Sequence, residues 1–412
     1  MEIEKVKTDV LIPYVRNART HSDEQVTQIC GSIKEFGFTN PVLIDSDKVI
    51  IAGHGRVMAA QRMGLSEVPC ITLDYLTEAQ KKAYIIADNQ LALNAGWNEE
   101  LLALEIEELN DLDFNLDLLG FDDPLKFLPD KEGHTDEDEV PDVPDNPVTK
   151  EGDLWVLGNH KILCGNSTSV DDVEKLLNKQ KVDLLLTDPP YGVNYAEKNT
   201  FLNAFDEGNR NQKHIKNDEI ENIEQFCKDF LSIIPFSDYN IFYIFFADSQ
   251  LHHLRTAIED TKLYFSQYLI WNKNNHVLGR NNYMYKHEFI VYGWKNRHKF
   301  YGGKSTSVLN FDRPVKSDLH PTMKPVAILE KLIKDGSLSN QNIYDPFLGS
   351  GSTLLAAEKT TRKCFGLELE PTYCDVIIER WQNYTQEKAI LESNGKTFEE
   401  LKNSVMSEKT TK

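Results

Sequence analysis

The sequence predicts an α/β protein built mainly around a doubly wound, largely parallel sheet, with a smaller folded unit before it. Apolar strands and helices alternate from Trp155 onward, which is the pattern of such a sheet. An acidic, proline-rich stretch separates this part from residues 1–128. A glycine turn, Gly349-Ser350-Gly351, follows a strand late in the chain, and sheets of this kind bind ligands at such strand ends.

The composition excludes several classes of protein. The chain has a net charge of −20, and no apolar run approaches the roughly 20 residues of a membrane span. Its six cysteines are scattered without a CxxC pair, which is typical of a reducing compartment and argues against a metal site. We therefore expect a cytoplasmic protein with no membrane partner and no bound metal.

Residues 1–128 predict a small α+β unit. Ser22 or Asp23 can cap a first helix, which ends at Gly37. Two short strands follow, PVLID and KVIIAG. The later helices read HGRVMAAQRMG, LTEAQKKAYIIADNQLALNAG and NEELLALEIEELN.

Two segments have the composition of connecting or terminal chain. Residues 129–152 are acidic, rich in proline and free of aromatic residues, which is typical of a disordered or extended linker. Residues 391–412 are polar and predict a tail.

Residues 153–390 contain the alternating elements. A hairpin, LWVLGNHKILCGN, comes first. The predicted strands that follow are VDLLLT, YNIFYIFFA, YFSQYLIWNK, KHEFIVYGW, QNIYD and KCFGLEL. The predicted helices are SVDDVEKLLNKQ, IENIEQFCKDFLSII, SQLHHLRTAIED, PVAILEKLIKDG, GSTLLAAEKT and PTYCDVIIERWQNYT.

The glycine turn and two acids indicate a nucleoside site. The strand before the turn ends at Asp345, whose carboxylate can accept hydrogen bonds from an ammonium group. The next strand ends at Glu368, 23 residues later, which is close to the offset of a ribose-hydroxyl acceptor. No lysine follows the second glycine, so the turn is not a Walker-type phosphate loop. A chance GSG turn with a downstream acid is the alternative.

The stretch VDLLLTDPPY offers a second chemical feature. Consecutive prolines cannot continue a sheet ladder because neither has an N–H group, so the strand ends at Asp188. Asp188 and the carbonyl groups of Pro189 and Pro190 are hydrogen-bond acceptors, and Tyr191 offers an aromatic face. This set suits a planar amine such as an adenine taken out of a duplex. Acceptors aimed at the amine hydrogens would favour attack of its nitrogen on an aligned, activated methyl group.

Residues from about 153 to 385 resemble the DNA amino-methyltransferases of the permuted, beta-type motif order. The resemblance is carried by the ordered motifs TDPPYG, LIWNKN, GRNNYMYKHEFIVYGWK, HPTMKP, DPFLGSGST and GLELEPTYCDVIIERWQNYT. It implies a Rossmann-like sheet with circularly permuted motif order. It also implies S-adenosylmethionine as cofactor and double-stranded DNA as partner.

The resemblance assigns roles to the matching residues. The catalytic residues around the target amine would be Asp188, Pro189, Pro190 and Tyr191. The cofactor would be bound by Asp345, Phe347, Gly349, Ser350, Gly351, Glu368, Asn166, Thr322 and Lys324. Asn166 departs from the family pattern, which often has an acid near the adenine ring of the cofactor.

The residue before the two prolines indicates the target. In this family Asp favours adenine, Ser favours cytosine amino groups, and Asn occurs in relatives that methylate protein glutamine. Cytosine ring-carbon methylation needs a cysteine nucleophile, and Cys70, in the Pro-Cys pair, belongs to the other unit and is interpreted as a core residue. We therefore expect a site-specific DNA N6-adenine methyltransferase of the restriction-modification type, with or without a cognate nuclease.

Three alternatives remain open from the sequence. The chain could be an N4-cytosine methyltransferase, or a partition-type DNA-binding regulator whose methyltransferase half is inactive. It could also methylate RNA or protein.

Val6 to about Asn94 resembles the ParB/sulfiredoxin-like fold. The similar stretches are LIPYVRNARTH, GSIKEFGFTNPVLID and IAGHGRVMAAQRMGLSEVPCITL. Amides at a helix start together with an arginine favour anions, so this motif predicts a nucleotide or anion site formed by Gly53, His54, Gly55 and Arg56. His54 stands where sulfiredoxin has its cysteine, and a docking or DNA-positioning domain is the alternative.

Residues 272–316 form a locally basic segment between the catalytic and donor motifs, where the permuted family has its target recognition. The segment has nine Lys or Arg residues and two acids, so we expect DNA contacts from Lys273, Arg280 and Lys286. A solvated pair of strands is the alternative. The long polar stretch 196–217 predicts a lid over the base. A homodimer is a further expectation.

Overall fold

The computed structural model describes residues 2–191, 220, 222–277, 282–312 and 323–410. They form two compact units, Met1–Pro129 and Asp130–Lys412. No described helix combines the length and the apolar character needed to cross a lipid bilayer. Arg280, Thr322 and the predicted lid lie outside the described residues.

The first unit is a four-stranded sheet with helices. Its strands are β1 (Glu4–Lys7), β2 (Val42–Ile44), β3 (Ile50–Ala52) and β4 (Glu67–Thr72), arranged in the order β1-β4-β2-β3. Its helices are α1 (Asp23–Phe36), α2 (His54–Arg62), α3 (Glu78–Leu93) and α4 (Glu99–Asp111). β2 is parallel to β4, and the β1–β4 and β2–β3 pairs are antiparallel.

Local sequence rules explain this unit well. The Ser22 side chain accepts a hydrogen bond from the Gln25 N–H at 3.1 Å, and α1 ends at Gly37 with φ of 79°, as predicted. Cys70 is fully buried in the core, and burial raises the pKa of its thiol to about 11. The interpretation of Cys70 as a core residue is therefore confirmed.

The second unit contains one ten-stranded sheet within the described residues. Its strands are β5 (Leu154–Leu157), β6 (His160–Cys164), β7 (Val182–Thr187), β8 (Phe236–Phe246), β9 (Tyr264–Val277), β10 (Tyr285–Trp294), β11 (Val308–Asn310), β12 (Asn342–Asp345), β13 (Lys363–Glu368) and β14 (Ile390–Leu391). Their order across the sheet is β11-β9-β10-β8-β7-β12-β13-β6-β5-β14. The five central strands, β8 to β6, are parallel, which confirms the predicted doubly wound centre.

Helices cover both faces of this sheet. They are α5 (Val170–Leu177), α6 (Ile223–Ser232), α7 (Leu251–Asp260), α8 (Val326–Gly336), α9 (Ser352–Lys359), α10 (Pro371–Thr385) and α11 (Phe398–Thr410). Successive strand residues point to opposite faces. Leu185 accordingly packs in a cluster with residues of α5, α6 and α7, whereas Leu184 and Leu186 pack with residues of α8, α9 and α10.

The chain changes direction across the sheet between β7 and β12. β7 is followed by β8 on one side, and β12 is followed by β13 on the other, so the neighbours β7 and β12 flank a switch in strand order. Ligands of open α/β sheets bind beyond the carboxyl ends of the strands at such a point. β7 also precedes β12 in the chain, which is the permuted order that the sequence predicts.

The acidic segment after Pro129 is extended and packs on the second unit. The His134 N–H donates to the Tyr384 carbonyl at 2.9 Å, and the Asp138 carboxylate accepts from the Val326 N–H at the start of α8 at 3.0 Å. Asp375 on α10 accepts from the N–H groups of Val148 and Thr149. The structure thus shows the extended alternative, and its acids cap backbone groups that the sequence pattern does not reveal.

The predicted polar tail is corrected by the structure. β14 pairs with β5, and α11 follows. The Phe398 side chain is 2% exposed, and its ring centroid lies 5.6 Å from that of the buried Trp155. The strand pairing and the buried side chains of Leu391 and Phe398 therefore hold this segment on the unit.

A buried polar cluster joins the sheet to α9 and α10. Glu358 Oε2 accepts from His160 Nε2 at 2.8 Å and from Trp381 Nε1 at 3.2 Å. The Cys364 N–H donates to His160 Nδ1 at 2.9 Å, which makes Nε2 the protonated nitrogen. The contact with His160 and the ion pair of Glu358 Oε1 with Lys131, at 2.6 Å, outweigh burial and hold the pKa of Glu358 well below its usual range.

We expect Glu358→Gln to lower the free energy of unfolding of the second unit by about 2–3 kcal/mol, because the neutral amide ends the ion pair with Lys131 and weakens the hydrogen bonds from His160 and Trp381. Urea unfolding followed by tryptophan fluorescence measures this change. The control is Glu392→Gln, which removes an exposed partner of Lys161 and should change stability by about 0.5 kcal/mol or less. Equal losses of unfolding free energy in both variants would contradict the stabilising role of Glu358 in this buried cluster.

Candidate active site

The carboxyl ends of β7 and β12 open into one cavity. Thr187, the last residue of β7, donates from Oγ1 to Asp345 Oδ1 at 2.6 Å. The cavity has a volume of about 240 Å³ and is lined on one side by residues 187–191 and on the other by residues 345–350. The two sequence features that predict an amine site and a nucleoside site therefore face a common space.

Most of the residues that the sequence singles out line this cavity. They are Asp188, Pro189, Pro190, Tyr191, Asp345, Phe347, Gly349, Ser350, Glu368, Asn166 and Lys324. Gly351 does not line it. Gly351 is the N-cap of α9 and has a φ of 86°. A Cβ atom there would lie 3.1 Å from the Ile377 side chain. Its role is to let the turn enter the helix.

The glycine turn is tied to the end of β13. Gly349 adopts a left-handed φ of 54°, and its N–H donates to Glu368 Oε2 at 2.9 Å. Glu368 Oε1 accepts from the Glu370 N–H at 3.0 Å. The turn and the acid that the sequence places 23 residues apart are thus direct neighbours.

Two acids at the ends of β12 and β13 line the cavity, the buried Asp345 and the half-buried Glu368. Burial raises the pKa of Glu368 to about 7 and that of Asp345 to about 6. Hydrogen bonds from neutral donors, including the Phe347 N–H to Asp345, offset burial only in part. Because a nearby positive charge favours the ionised form of an acid, these carboxyl groups favour a cationic ligand.

Asp188 is held by two donors. Its Oδ1 accepts from the Tyr191 hydroxyl, and its Oδ2 accepts from the Lys324 ammonium. The Tyr191 ring packs edge-on against Phe246 with centroids 5.2 Å apart. Burial raises the pKa of Asp188, and the Glu288 charge adds to this, whereas Lys324 opposes it.

Lys324 lies on the catalytic side of the cavity. The sequence predicts it as a cofactor contact, but its ammonium pairs with Asp188 and lies 3.4 Å from Glu288 Oε2. The pairing could not be read from the sequence, because Asp188, Glu288 and Lys324 lie on segments far apart in the chain.

The assignment of Lys273 as a DNA contact is corrected. Its side chain on β9 is 6% exposed and pairs with Glu288 on β10. A buried, paired ammonium does not reach a phosphate, so Lys273 belongs to the interior of the sheet. Lys286, two residues before Glu288 on β10, is exposed and keeps its predicted role.

Asn166 lines the cavity, and its side-chain oxygen also accepts hydrogen bonds within a local turn. Its Oδ1 accepts from the Thr168 N–H at 3.0 Å and from the Thr168 hydroxyl at 2.9 Å. Sequence reasoning did not identify several lining residues, namely Thr187, Phe245, Met323, Glu370 and Tyr373. Thr187 could have been found from its place directly before Asp188.

In the first unit the GHGR motif begins α2 as predicted. Gly53 is the N-cap with φ of 100°, and no side chain caps this helix start. Arg56 donates to the carbonyl oxygens of Asn40 at 2.8 Å and Pro41 at 3.2 Å, and His54 Nε2 accepts from the Tyr14 N–H at 3.2 Å. Both side chains of the motif thus make hydrogen bonds within the unit.

Three family models match the chain. The ParB N-terminal domain matches residues 1–89, the ParB-methyltransferase HTH domain matches residues 100–151, and the DNA methylase model of N6 and N4 enzymes matches residues 182–379. The chain belongs to the DNA methylase family. It is a DNA methyltransferase with an N-terminal ParB domain, as the sequence predicts, and S-adenosylmethionine is the methyl donor of this family.

Individual relatives agree with this division. The methyltransferase is 61% identical over 72 residues to the ParB-like nuclease domain-containing protein YnaK of Escherichia coli (strain K12), covering 18% of this chain and 83% of that protein. It is 22% identical over 249 residues to the type II methyltransferase M.HpaI of Haemophilus parainfluenzae, covering 54% and 74%. The crystal structure of the M1.HpyAVI–SAM complex is similar with 23% identity and a TM-score of 0.41, covering 53% and 98%.

Proposed function

We propose that this DNA methyltransferase transfers the methyl group of S-adenosylmethionine to the N6 amino group of an adenine flipped out of a specific site in double-stranded DNA. The observation that carries the proposal is the common cavity between Asp188-Pro189-Pro190-Tyr191 and the turn Asp345–Ser350. The aspartate before the two prolines is the residue that favours adenine.

The donor side fits a cationic nucleoside. When bound, S-adenosylmethionine supplies an activated methyl group on a positively charged sulfur. We assign Asp345 to its ammonium group and Glu368 to its ribose hydroxyls, because both acids line the cavity and have raised pKa values. Gly349 has no side chain, so the donor can approach its backbone closely. Phe347, whose ring centroid lies 5.2 Å from that of Phe230, adds an apolar wall.

The acceptor side holds and activates an amine. The Asp188 carboxylate and a proline carbonyl oxygen accept the two amine hydrogens, which directs the nitrogen lone pair toward the methyl group. Positive charge develops on that nitrogen as the new bond forms, and the buried carboxylate stabilises it. The Tyr191 ring provides the flat apolar contact for the base.

We expect Asp188→Ala to reduce methyl transfer by about 10²–10³-fold, because a preorganised acceptor of the reacting amine is lost. The measurement is mass spectrometry of nucleosides from DNA incubated with the protein and labelled donor, and the wild-type product should be N6-methyladenine. Asp229→Asn, an exposed acid of α6, is the control and should stay at the wild-type rate. N4-methylcytosine as the product would contradict the assignment of adenine as the target base. Transfer of the label to RNA or protein would contradict the assignment of DNA as the substrate.

Donor affinity should fall as the pH is lowered through the pKa of Glu368, about 7, because the hydroxyl groups of the donor bind its carboxylate. Between pH 8 and 6.5 the expected loss is about fourfold, as proton linkage requires. Isothermal titration calorimetry measures it. Glu368→Gln serves as the control, since the titration of the ligand itself is common to both proteins. A pH dependence that is the same in both would remove Glu368 from the donor site.

We also propose that the start of α2 binds a nucleotide phosphate. Its helix N–H groups have no side-chain cap, and Arg56 lies beside the N-cap Gly53. Filter binding of labelled nucleoside triphosphates to the full chain should weaken about tenfold or more in Arg56→Ala, the loss of a charge-assisted hydrogen bond. Arg62→Ala, which removes an exposed arginine of the same helix, is the control. Equal binding by all three proteins would favour a docking role, and thermal melting checks that Arg56→Ala is folded.

A further inference from the structure

We propose that Glu288 is a positioning residue, which takes over the Lys324 ammonium when Asp188 accepts the target amine. The inference rests on the proposed function, because it concerns how the Asp188 carboxylate becomes available to that amine. Glu288 lies on β10, in the segment predicted for target recognition, and it is not among the residues that line the cavity.

Four charged side chains form a continuous row into the cavity. Lys273 pairs with Glu288 Oε1, Lys324 lies 3.4 Å from Glu288 Oε2, and Lys324 pairs with Asp188. Lys273 and Lys324 are 6% and 7% exposed. Positive and negative groups alternate, so each buried ammonium has a carboxylate partner.

The two carboxylates of the row differ in how they use their oxygens. Both Asp188 oxygens accept hydrogen bonds, from Tyr191 and from Lys324. Glu288 Oε1 accepts from Lys273, whereas Glu288 Oε2 is buried and makes no hydrogen bond within the described part of the chain. Glu288 Oε2 therefore forms an ion pair with Lys324 that a small movement of the ammonium would turn into a direct hydrogen bond.

An amine that approaches Asp188 must compete with Lys324. An ammonium and a neutral amine both make a charge-assisted hydrogen bond to the carboxylate, but only the ammonium adds the attraction of opposite charges, so the neutral donor does not displace Lys324 by itself. Lys324 already forms an ion pair with Glu288 Oε2 at 3.4 Å. The ammonium therefore keeps a carboxylate partner when it leaves Asp188 Oδ2, which lowers the cost of the exchange.

The surroundings of Lys324 allow this short exchange. Its ammonium lies 5.2 Å from the centroid of the Phe245 ring, and Phe245 lines the same cavity. An aromatic face stabilises a cation without fixing its direction as a hydrogen bond does. Lys273 holds the Glu288 carboxylate from the other side, so the acceptor itself stays in place.

The test uses the full-length protein, single-turnover methyl transfer and donor binding. Glu288→Gln keeps the shape of the side chain and removes its charge. We expect its transfer rate to fall about tenfold, within the usual range of coupling between neighbouring residues, while the donor dissociation constant stays within about twofold. Glu259→Gln, an exposed acid that pairs with Arg255, is the matched control and should keep the wild-type rate.

A second background separates positioning from general damage. In Lys324→Met there is no ammonium to transfer, so adding Glu288→Gln should change the rate by less than about twofold. Losses that multiply in the double variant would overturn the proposal, as would a wild-type rate in Glu288→Gln or a parallel loss of donor binding. Should Lys324→Met be inactive, Glu288→Asp decides: a rate above that of Glu288→Gln supports the exchange, and an equal rate contradicts it.

The same assay keeps this inference distinct from the proposed function. N6-methyladenine formed by the wild-type protein, together with an unaffected Glu288→Gln variant, overturns the inference alone. Wild-type protein that forms no methylated adenine overturns both.

Discussion

The parallel pairing of β7 with β12 is the constraint on which the rest of the second unit depends. Parallel neighbours bring their carboxyl ends to one edge of the sheet, and a switch in strand order leaves a crevice between them. Thr187 and Asp345 join the two strand ends through one hydrogen bond. Asp188 and Asp345 are 157 residues apart in the chain, and the pairing of β7 with β12 brings them to one cavity.

The electrostatics of the cavity are asymmetric in a way that suits the proposed reaction. On the side proposed for the donor, the pKa values of Asp345 and Glu368 rise toward neutrality, so a bound cation would stabilise their ionised forms. On the acceptor side, Asp188 already has a cationic partner in Lys324, and Glu288 balances that charge. A cationic ligand would balance the negative charge of Asp345 and Glu368. The charges of Asp188 and Glu288 are already balanced by Lys324 and Lys273 of the protein itself.

Two differences between the sequence analysis and the structure share one cause. The C-terminal segment and Lys273 were both interpreted from local composition, which reports how well a stretch is solvated. In the structure, Phe398 packs on Trp155, and Lys273 is buried against Glu288. The partners of these residues lie on elements distant in the chain, and local composition does not predict such contacts.

The sequence by itself determined the alternation of strands and helices, the proline-terminated end of β7, the glycine turn before α9 and the identity of the acids beside them. These features are local, because backbone sterics and periodicity act over a few residues. Only the tertiary structure decided that Lys324 pairs with Asp188, and that Gly351 supports the turn instead of lining the cavity. Such pairings depend on which surfaces the folded sheet brings into contact, and that information is spread over the whole chain.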